Sequence, residues 1–81
     1  MPLQQILALL QRRPFVPFRL HLSDGRSFTI QHPELVMPGR MFLYVGIPSE
    51  NEPLPVADHV EFIALIHIVS AEELTTTGQA G

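Results

Sequence analysis

The apolar positions near the N-terminus recur with helical spacing. Four of them fall at i, i+3, i+4 and i+7 and share one face: Leu3, Ile6, Leu7 and Leu10. Pro2 suits a first helical turn, where its missing N–H group costs nothing, and Pro14 ends the helix. The pattern predicts a helix over residues 2–13 that packs by its leucine face. Arg12 and Arg13 would then occupy the last turn, where cations suit the negative end of the helix dipole.

The segments on either side of Asp24-Gly25 alternate between apolar and polar residues, which is typical of a β-hairpin. A two-residue turn would mix apolar and polar side chains on both faces. A three-residue loop, with Gly25 as a left-handed bulge, shifts the pairing by one residue. That register places the large apolar side chains on one face: Phe18, Leu20, Leu22, Phe28 and Ile30. The opposite face then carries Arg19, His21, Ser27, Thr29 and Gln31.

The C-terminal half predicts two more strand regions. Pro33 breaks or bends the second strand, because proline cannot donate to a strand ladder. Met41–Ile47 is apolar at nearly every position, so we expect a third strand buried on both faces or at an interface. Pro48–Asp58 is a proline-rich, acidic loop. His59–Ser70 contains the last strand region, with Phe62 pointing inward.

Length and composition predict one small domain that associates with itself. A chain of 81 residues buries only about 60% of its unfolded surface, and there is no cysteine to staple it. Yet 46% of the residues are hydrophobic, more than one thin core absorbs. We expect the domain to span residues 1–70, followed by a flexible acidic and polar tail over residues 71–81.

The charge balance is acidic, with a net charge of −3, five arginines and no lysine. This disfavours a protein that binds phosphate over its whole surface, although a local patch at Arg12-Arg13 remains. The apolar stretch Ile6–Leu10 is shorter than the core of a secretory signal, and no run reaches the ~20 apolar residues that span a bilayer. We therefore expect a cytoplasmic protein without a membrane partner.

The sequence lacks the motifs of common enzymes. There is no glycine-rich phosphate loop, no nucleophile elbow and no HExxH pattern. The carboxylates are scattered, and the four histidines lack helical i, i+3 or i+4 spacing. We expect no enzymatic activity, no metal and no cofactor.

Two segments resemble the Sm-like proteins, and the bacterial Hfq family in particular: "QRRPFVPFRLHLSDG" and "LIHIVS". In this resemblance Arg12 and Arg13 match the paired arginines of a rim patch for RNA. Gln4 matches a helix glutamine that contacts uridine, and His67 matches the motif histidine. The segment "PFRLHLSDGRSFTIQHPEL" also resembles a family of short bacterial proteins with no assigned function. The resemblance implies a mainly β fold with an N-terminal helix: a five-stranded, bent antiparallel SH3-like barrel of Sm type.

The chain departs from the Hfq pattern at several positions. Leu65 and Ile66 stand where the family motif has tyrosine and lysine, so the cation of the uridine site is missing. Pro14 and Phe15 stand where the rim has glutamate and a third arginine. These departures favour a second hypothesis, a structural or adaptor module that binds protein and no nucleic acid.

Each candidate binding residue has a structural alternative. Under one interpretation Arg12 and Arg13 contact RNA phosphate, and under the other they only stabilise the helix end. His67 binds a base edge or fills a core or interface position. Arg19 and His21 contact nucleic acid or a partner, or they form an ordinary solvated face.

The expected partners are copies of the chain itself and single-stranded RNA. The two apolar regions, Met41–Ile47 and Phe62–Val69, would pair between subunits and close a ring. A hexamer or heptamer is the first expectation, with a dimer as the alternative. RNA binding would be weak and salt-sensitive, and a protein partner is the alternative to RNA.

Overall fold

The computed structural model describes residues 1–74, which form one helix and six strands. The elements are α1 (Leu3–Gln11), β1 (Phe18–Leu22), β2 (Ser27–Ile30), β3 (Val36–Pro38), β4 (Phe42–Pro48), β5 (Ala57–Ala64) and β6 (Ile68–Glu73). Two 3₁₀ turns, Pro33–Leu35 and Leu65–His67, interrupt the strands. The strands form two antiparallel three-stranded sheets, ordered β2-β1-β6 and β3-β4-β5.

The mainly β architecture with an N-terminal helix is confirmed, but the sheets do not form a closed barrel. Six strands in two sheets replace the expected single sheet of five strands. The division occurs at Pro33, which has no N–H group to donate and begins a 3₁₀ turn. The expected second strand is thereby split into β2 and β3, which belong to different sheets.

The helix ends at Gln11, two residues earlier than expected. Arg12 is the C-cap residue and its backbone is extended, with ψ at 137°. Arg13 precedes a proline, and that position disfavours the helical conformation. The prediction that both arginines lie in the last helical turn is therefore wrong. The Arg13 guanidinium instead donates to the carbonyl oxygens of Leu10, at 3.1 Å, and Arg12, at 2.8 Å.

The hairpin has the predicted register. Phe18 pairs with Ile30 and Leu20 with Phe28. Gly25 is the only residue of the described chain with a positive φ, at 91°, and its N–H donates to the Leu22 carbonyl at 3.0 Å. The inner face is buried except for Phe28, which is half-buried beneath the Arg26 guanidinium.

The last strand, β6, extends beyond the expected end of the domain at residue 70. It pairs with β1 over its length, with Leu20 opposite Ala71 and Phe18 opposite Glu73. Backbone pairing with β1 therefore orders residues 71–73, which were expected to belong to the tail. Leu74 is also held, because its N–H donates to the Pro17 carbonyl at 2.8 Å. Residues 75–81 of the expected tail lie outside the described residues.

The strand β4 lies at the centre of the second sheet. Its Tyr44 is paired with Met37 of β3 on one side and with Phe62 of β5 on the other. Both backbone edges of β4 are therefore used within one chain. The expectation that Met41–Ile47 pairs between subunits is wrong.

The apolar run of β4 is buried on one face only. Leu43 and Val45 point into the core, whereas Phe42 is exposed. On β5 the same alternation buries Ile63 and leaves Phe62 67% exposed, so the expectation that Phe62 points inward is also wrong.

A single core joins the helix and both sheets. It consists of Ile6, Leu10, Phe18, Leu20, Leu22, Ile30, Leu43, Val45, Ile63, Leu65 and Ile68. In the part of the chain that the structure describes, no helix has the length and apolar character needed to cross a membrane.

Candidate functional site

The most promising site is a cleft of about 410 Å³ between the β1–β2 turn and the end of β5, which we call the His67 cleft. Its polar groups come from Ser23, Asp24, Arg26 and His67, and its apolar walls include Phe42 and Phe62. The bulged turn supplies the first three polar residues. The 3₁₀ turn between β5 and β6 supplies His67.

Hydrogen bonds to Ser23 position His67. The Ser23 backbone N–H donates to the His67 carbonyl at 2.8 Å, and the Ser23 hydroxyl is hydrogen-bonded to Nδ1 of His67 at 3.3 Å. These contacts tie the 3₁₀ turn to the hairpin loop and orient the imidazole ring. Because Nδ1 has a partner on the protein, Nε2 is the ring nitrogen that a ligand would meet. The side chain is exposed, so His67 is not a core group.

Arg26 and Asp24 place one charge of each sign in the cleft. The Arg26 Nε atom donates to Asp24 Oδ2 at 2.8 Å, and the Arg26 backbone N–H donates to Asp24 Oδ1 at 3.0 Å. The backbone hydrogen bond and then the side-chain hydrogen bond lower the pKa of the Asp24 carboxyl below its usual value. Asp24 is therefore ionised at neutral pH and orients the Arg26 guanidinium.

The aromatic walls give the cleft a surface on which a flat ring can stack. Phe42 and Phe62 are both exposed, and the Phe62 ring packs edge-on against Tyr44 with centroids 5.0 Å apart. Phe62 was expected to point inward, so its place in the cleft was missed. An uninterrupted apolar run does not show which residues point outward. In the structure Ile63 is buried, so its neighbour Phe62 points outward.

The predicted rim residues lie far from the cleft. Arg12 forms an ion pair with Glu73, at the end of β6, whereas His67 immediately precedes β6. A six-residue strand separates the two sites by about 17 Å. Arg13 is engaged with the carbonyl oxygens at the helix end, and Gln4 is exposed on α1. The structure therefore does not bring the arginine pair and His67 together in one chain.

The outer face of the first sheet holds the remaining candidates. The Nε2 atom of His21 donates to Glu72 Oε1 at 3.0 Å, and the Nε atom of Arg19 donates to the Thr29 hydroxyl at 3.3 Å. Arg19 also lies opposite Glu72 in the strand register. Glu72 thus offsets positive charge on this face of the sheet.

A separate polar cluster surrounds His59 on β5. Its Nδ1 atom donates to Asp58 Oδ2 at 3.0 Å, and its Nε2 atom lies 3.3 Å from Glu61 Oε2. The two ring nitrogens point in different directions, so the carboxylates do not converge on one point. Within residues 1–74, no group of three or more histidine, aspartate or glutamate side chains could hold a metal ion.

We expect His59 to titrate above its usual pKa of 6.5, chiefly because of its hydrogen bond to Asp58. Since the pKa is raised on folding, this contribution to stability is complete below pH 6.5 and is lost as the pH rises through the raised value. NMR titration of the His59 ring measures the shift directly. Asp58→Asn should lower the pKa toward 6.5, and an unchanged pKa in this variant would contradict the role of Asp58.

Comparison with known proteins gives no match. No protein-family model matches the chain, and no curated protein or solved structure is significantly similar to it. Function must therefore be inferred from the chemistry of the chain's own residues.

Proposed function

We propose that this chain is an Sm- and Hfq-like oligomeric module that binds single-stranded RNA weakly, with an unpaired base in the His67 cleft. The observation that carries the proposal is the convergence of His67, Arg26 and two exposed phenylalanines on one cleft. Proteins bind unpaired bases by stacking them on aromatic rings and by hydrogen-bonding their edges. His67 and Arg26 supply the polar contacts, and Phe42 and Phe62 supply the stacking surface.

The path of the chain supports the Sm-like assignment. If β2 and β3 are counted as one strand interrupted at Pro33, a helix is followed by five strands, the order that the resemblance implies. The first and last of these strands, β1 and β6, are paired, which brings the ends of the strand series together. Under this proposal the two sheets are the halves of one strongly bent, incompletely closed barrel.

Two free sheet edges support assembly into a ring. The strands β5 and β6 each lie at the edge of a sheet, so their outer backbone groups are available to another copy. Pairing β5 of one copy with β6 of the next would be head-to-tail, the kind of contact that closes a ring. We retain six or seven copies as the expected number and the cytoplasm as the expected location for an RNA-binding protein of this kind.

The charge distribution predicts weak binding that decreases with salt. The net charge is −3, and Arg12 and His21 are already paired with Glu73 and Glu72. An exposed ion pair stabilises by only about 0.2–1 kcal/mol, so an RNA phosphate can displace it at moderate cost. We expect dissociation constants in the micromolar range or weaker.

Fluorescence anisotropy with U-rich and A-rich oligonucleotides at low salt tests the proposal. His67→Ala should weaken binding by about three- to tenfold, the effect of one hydrogen bond, and Arg26→Ala should weaken it by at least as much. His59→Ala is the matched control, because His59 is also an exposed histidine but lies outside the cleft.

A charge variant completes the same experiment. Glu72→Gln with Glu73→Gln releases Arg12 and His21, so RNA should bind severalfold more tightly than it binds the wild type. Absence of titratable binding to either oligonucleotide would overturn the RNA proposal. Binding that is unaffected by His67→Ala and Arg26→Ala would show that RNA does not bind in the His67 cleft.

The second candidate is a structural or adaptor module that contacts protein and no nucleic acid. The exposed apolar side chains of the second sheet favour it, as does Ile66, which is 81% exposed where the Hfq motif has lysine. Light scattering after size exclusion, read with the 260/280 nm absorbance ratio, separates the candidates. Co-purifying RNA supports the first, and an RNA-free protein that fails the anisotropy test supports the second.

A further inference from the structure

We infer that the outer face of the second sheet binds a second copy of this chain, with the two sheets packed face to face and the β4 strands antiparallel. This face consists of Met37, Phe42, Tyr44, Val60 and Phe62. The contact differs from the edge pairing proposed above, because it uses side chains of the sheet face and leaves the β5 and β6 edges free. It covers Phe42 and Phe62, which also line the His67 cleft, so this contact and RNA binding in the cleft exclude each other.

The outer face is apolar across all three strands. The inward direction is set by Leu43, Val45 and Ile63, which are buried, so the alternating residues of β4 and β5 point outward. The strand register places Met37 beside Tyr44 and Tyr44 beside Phe62, which makes the apolar surface continuous.

The first sheet has a different outer face. It carries Arg19, His21, Thr29 and Glu72, the polar side chains expected where an antiparallel sheet faces water. The outward positions of the second sheet instead carry large apolar or aromatic side chains: Met37, Phe42, Tyr44, Val60 and Phe62. The contrast within one domain indicates that the second sheet is covered by another molecule.

The area of this surface is sufficient for a specific interface. Met41 and Ile66 extend it, since both line an apolar pocket that they share with Phe42. These two residues together with Met37, Phe42, Val60 and Phe62 are each between 42% and 81% exposed. At about 200 Å² for a large side chain, they expose about 750 Å². The largest apolar patch of a typical monomer is about 300–600 Å², whereas a standard interface covers about 800 Å² on each partner.

The charges at the two ends of the face select a second copy in antiparallel orientation. Arg40 lies next to the Phe42 end of β4, and the acidic loop Pro48–Asp58 begins at its other end. A two-fold axis that lies in the plane of contact, perpendicular to β4, makes the two β4 strands antiparallel. It places Arg40 of each copy against the acidic loop of the other. The parallel arrangement would instead bring the two acidic loops together. The face is thus complementary to itself in one orientation, as a two-fold interface requires.

The test uses Met37 and Val60, because neither lines the His67 cleft. Light scattering and sedimentation at micromolar concentration should show that Met37→Thr with Val60→Thr halves the mass of the wild-type assembly, or raises its dissociation constant at least about tenfold. The matched control is Val69→Thr, which changes an apolar residue of the first sheet that is 62% exposed and lies outside both the outer face and the acidic loop. Circular dichroism verifies that both variants are folded.

The orientation is tested by Arg40→Glu, which would place like charges against each other in the antiparallel dimer and should also weaken association. A wild-type protein that is monomeric, or a mass unaffected by the Met37 and Val60 changes, would overturn the inference. An unaltered dissociation constant for Arg40→Glu would overturn the antiparallel arrangement. Loss of RNA binding in His67→Ala, with the mass unchanged, would leave this inference intact and separates it from the proposed function.

Discussion

Replacing Phe18 with alanine is expected to lower the free energy of unfolding by about 3–5 kcal/mol. Phe18 is fully buried on β1, the central strand of the first sheet, and its ring lies 6.0 Å from that of Phe15. Removal of the ring forfeits its transfer free energy and leaves a cavity between the helix and the sheets. A domain of this size is stable by only about 4–12 kcal/mol, so the variant should be largely unfolded or close to it.

Urea denaturation followed by circular dichroism measures the effect of Phe18→Ala. Val69→Ala provides the comparison, because Val69 lies on β6 but is 62% exposed, and its removal should change stability by no more than about 0.5 kcal/mol. If the two variants unfold at the same urea concentration, Phe18 does not occupy the centre of the core.

Replacing Gly25 with valine is expected to lower the free energy of unfolding by about 1–3 kcal/mol. Gly25 has a φ of 91°, a conformation that β-branched residues rarely adopt. A Cβ atom at this position would meet no other atom within 4 Å. The expected loss therefore comes from the backbone conformation and not from a steric clash.

Gly25→Asn is the matched variant, since asparagine tolerates a positive φ better than other residues that carry a side chain. It should retain more stability than Gly25→Val in the same thermal or urea experiment. Equal destabilisation by valine and asparagine would indicate that the bulged turn does not depend on the positive φ.

The first hairpin could be predicted because its constraints are local. Only one register puts Phe18, Leu20 and Ile30 on the same face, and Gly25 occupies the position where that register needs a positive φ. The break at Pro33 is also local, since it follows from a missing N–H group. Its consequence was not local, because the residues after the break join a different sheet.

The candidate site was less predictable, for two physical reasons. In the apolar runs of β4 and β5 every residue is compatible with either face, so the exposure of Phe62 depends on how the whole sheet packs. The partners of Arg12 and His21, which are Glu73 and Glu72, lie 61 and 51 residues away along the chain. Ser23 and Arg26 were not among the expected site residues, although they line one cleft with His67 once β6 has paired with β1.

The central position of β1 has a consequence for folding during synthesis. One edge of β1 pairs with β2, which follows within a few residues, so the hairpin can form early. The other edge must wait for β6, about 50 residues later in translation. Until Ile68–Glu73 leaves the ribosome, the nascent chain exposes an unpaired strand edge beside the core side chains of Phe18 and Leu20. A ribosome that stalls in the Pro48–Asp58 loop would therefore hold an aggregation-prone intermediate.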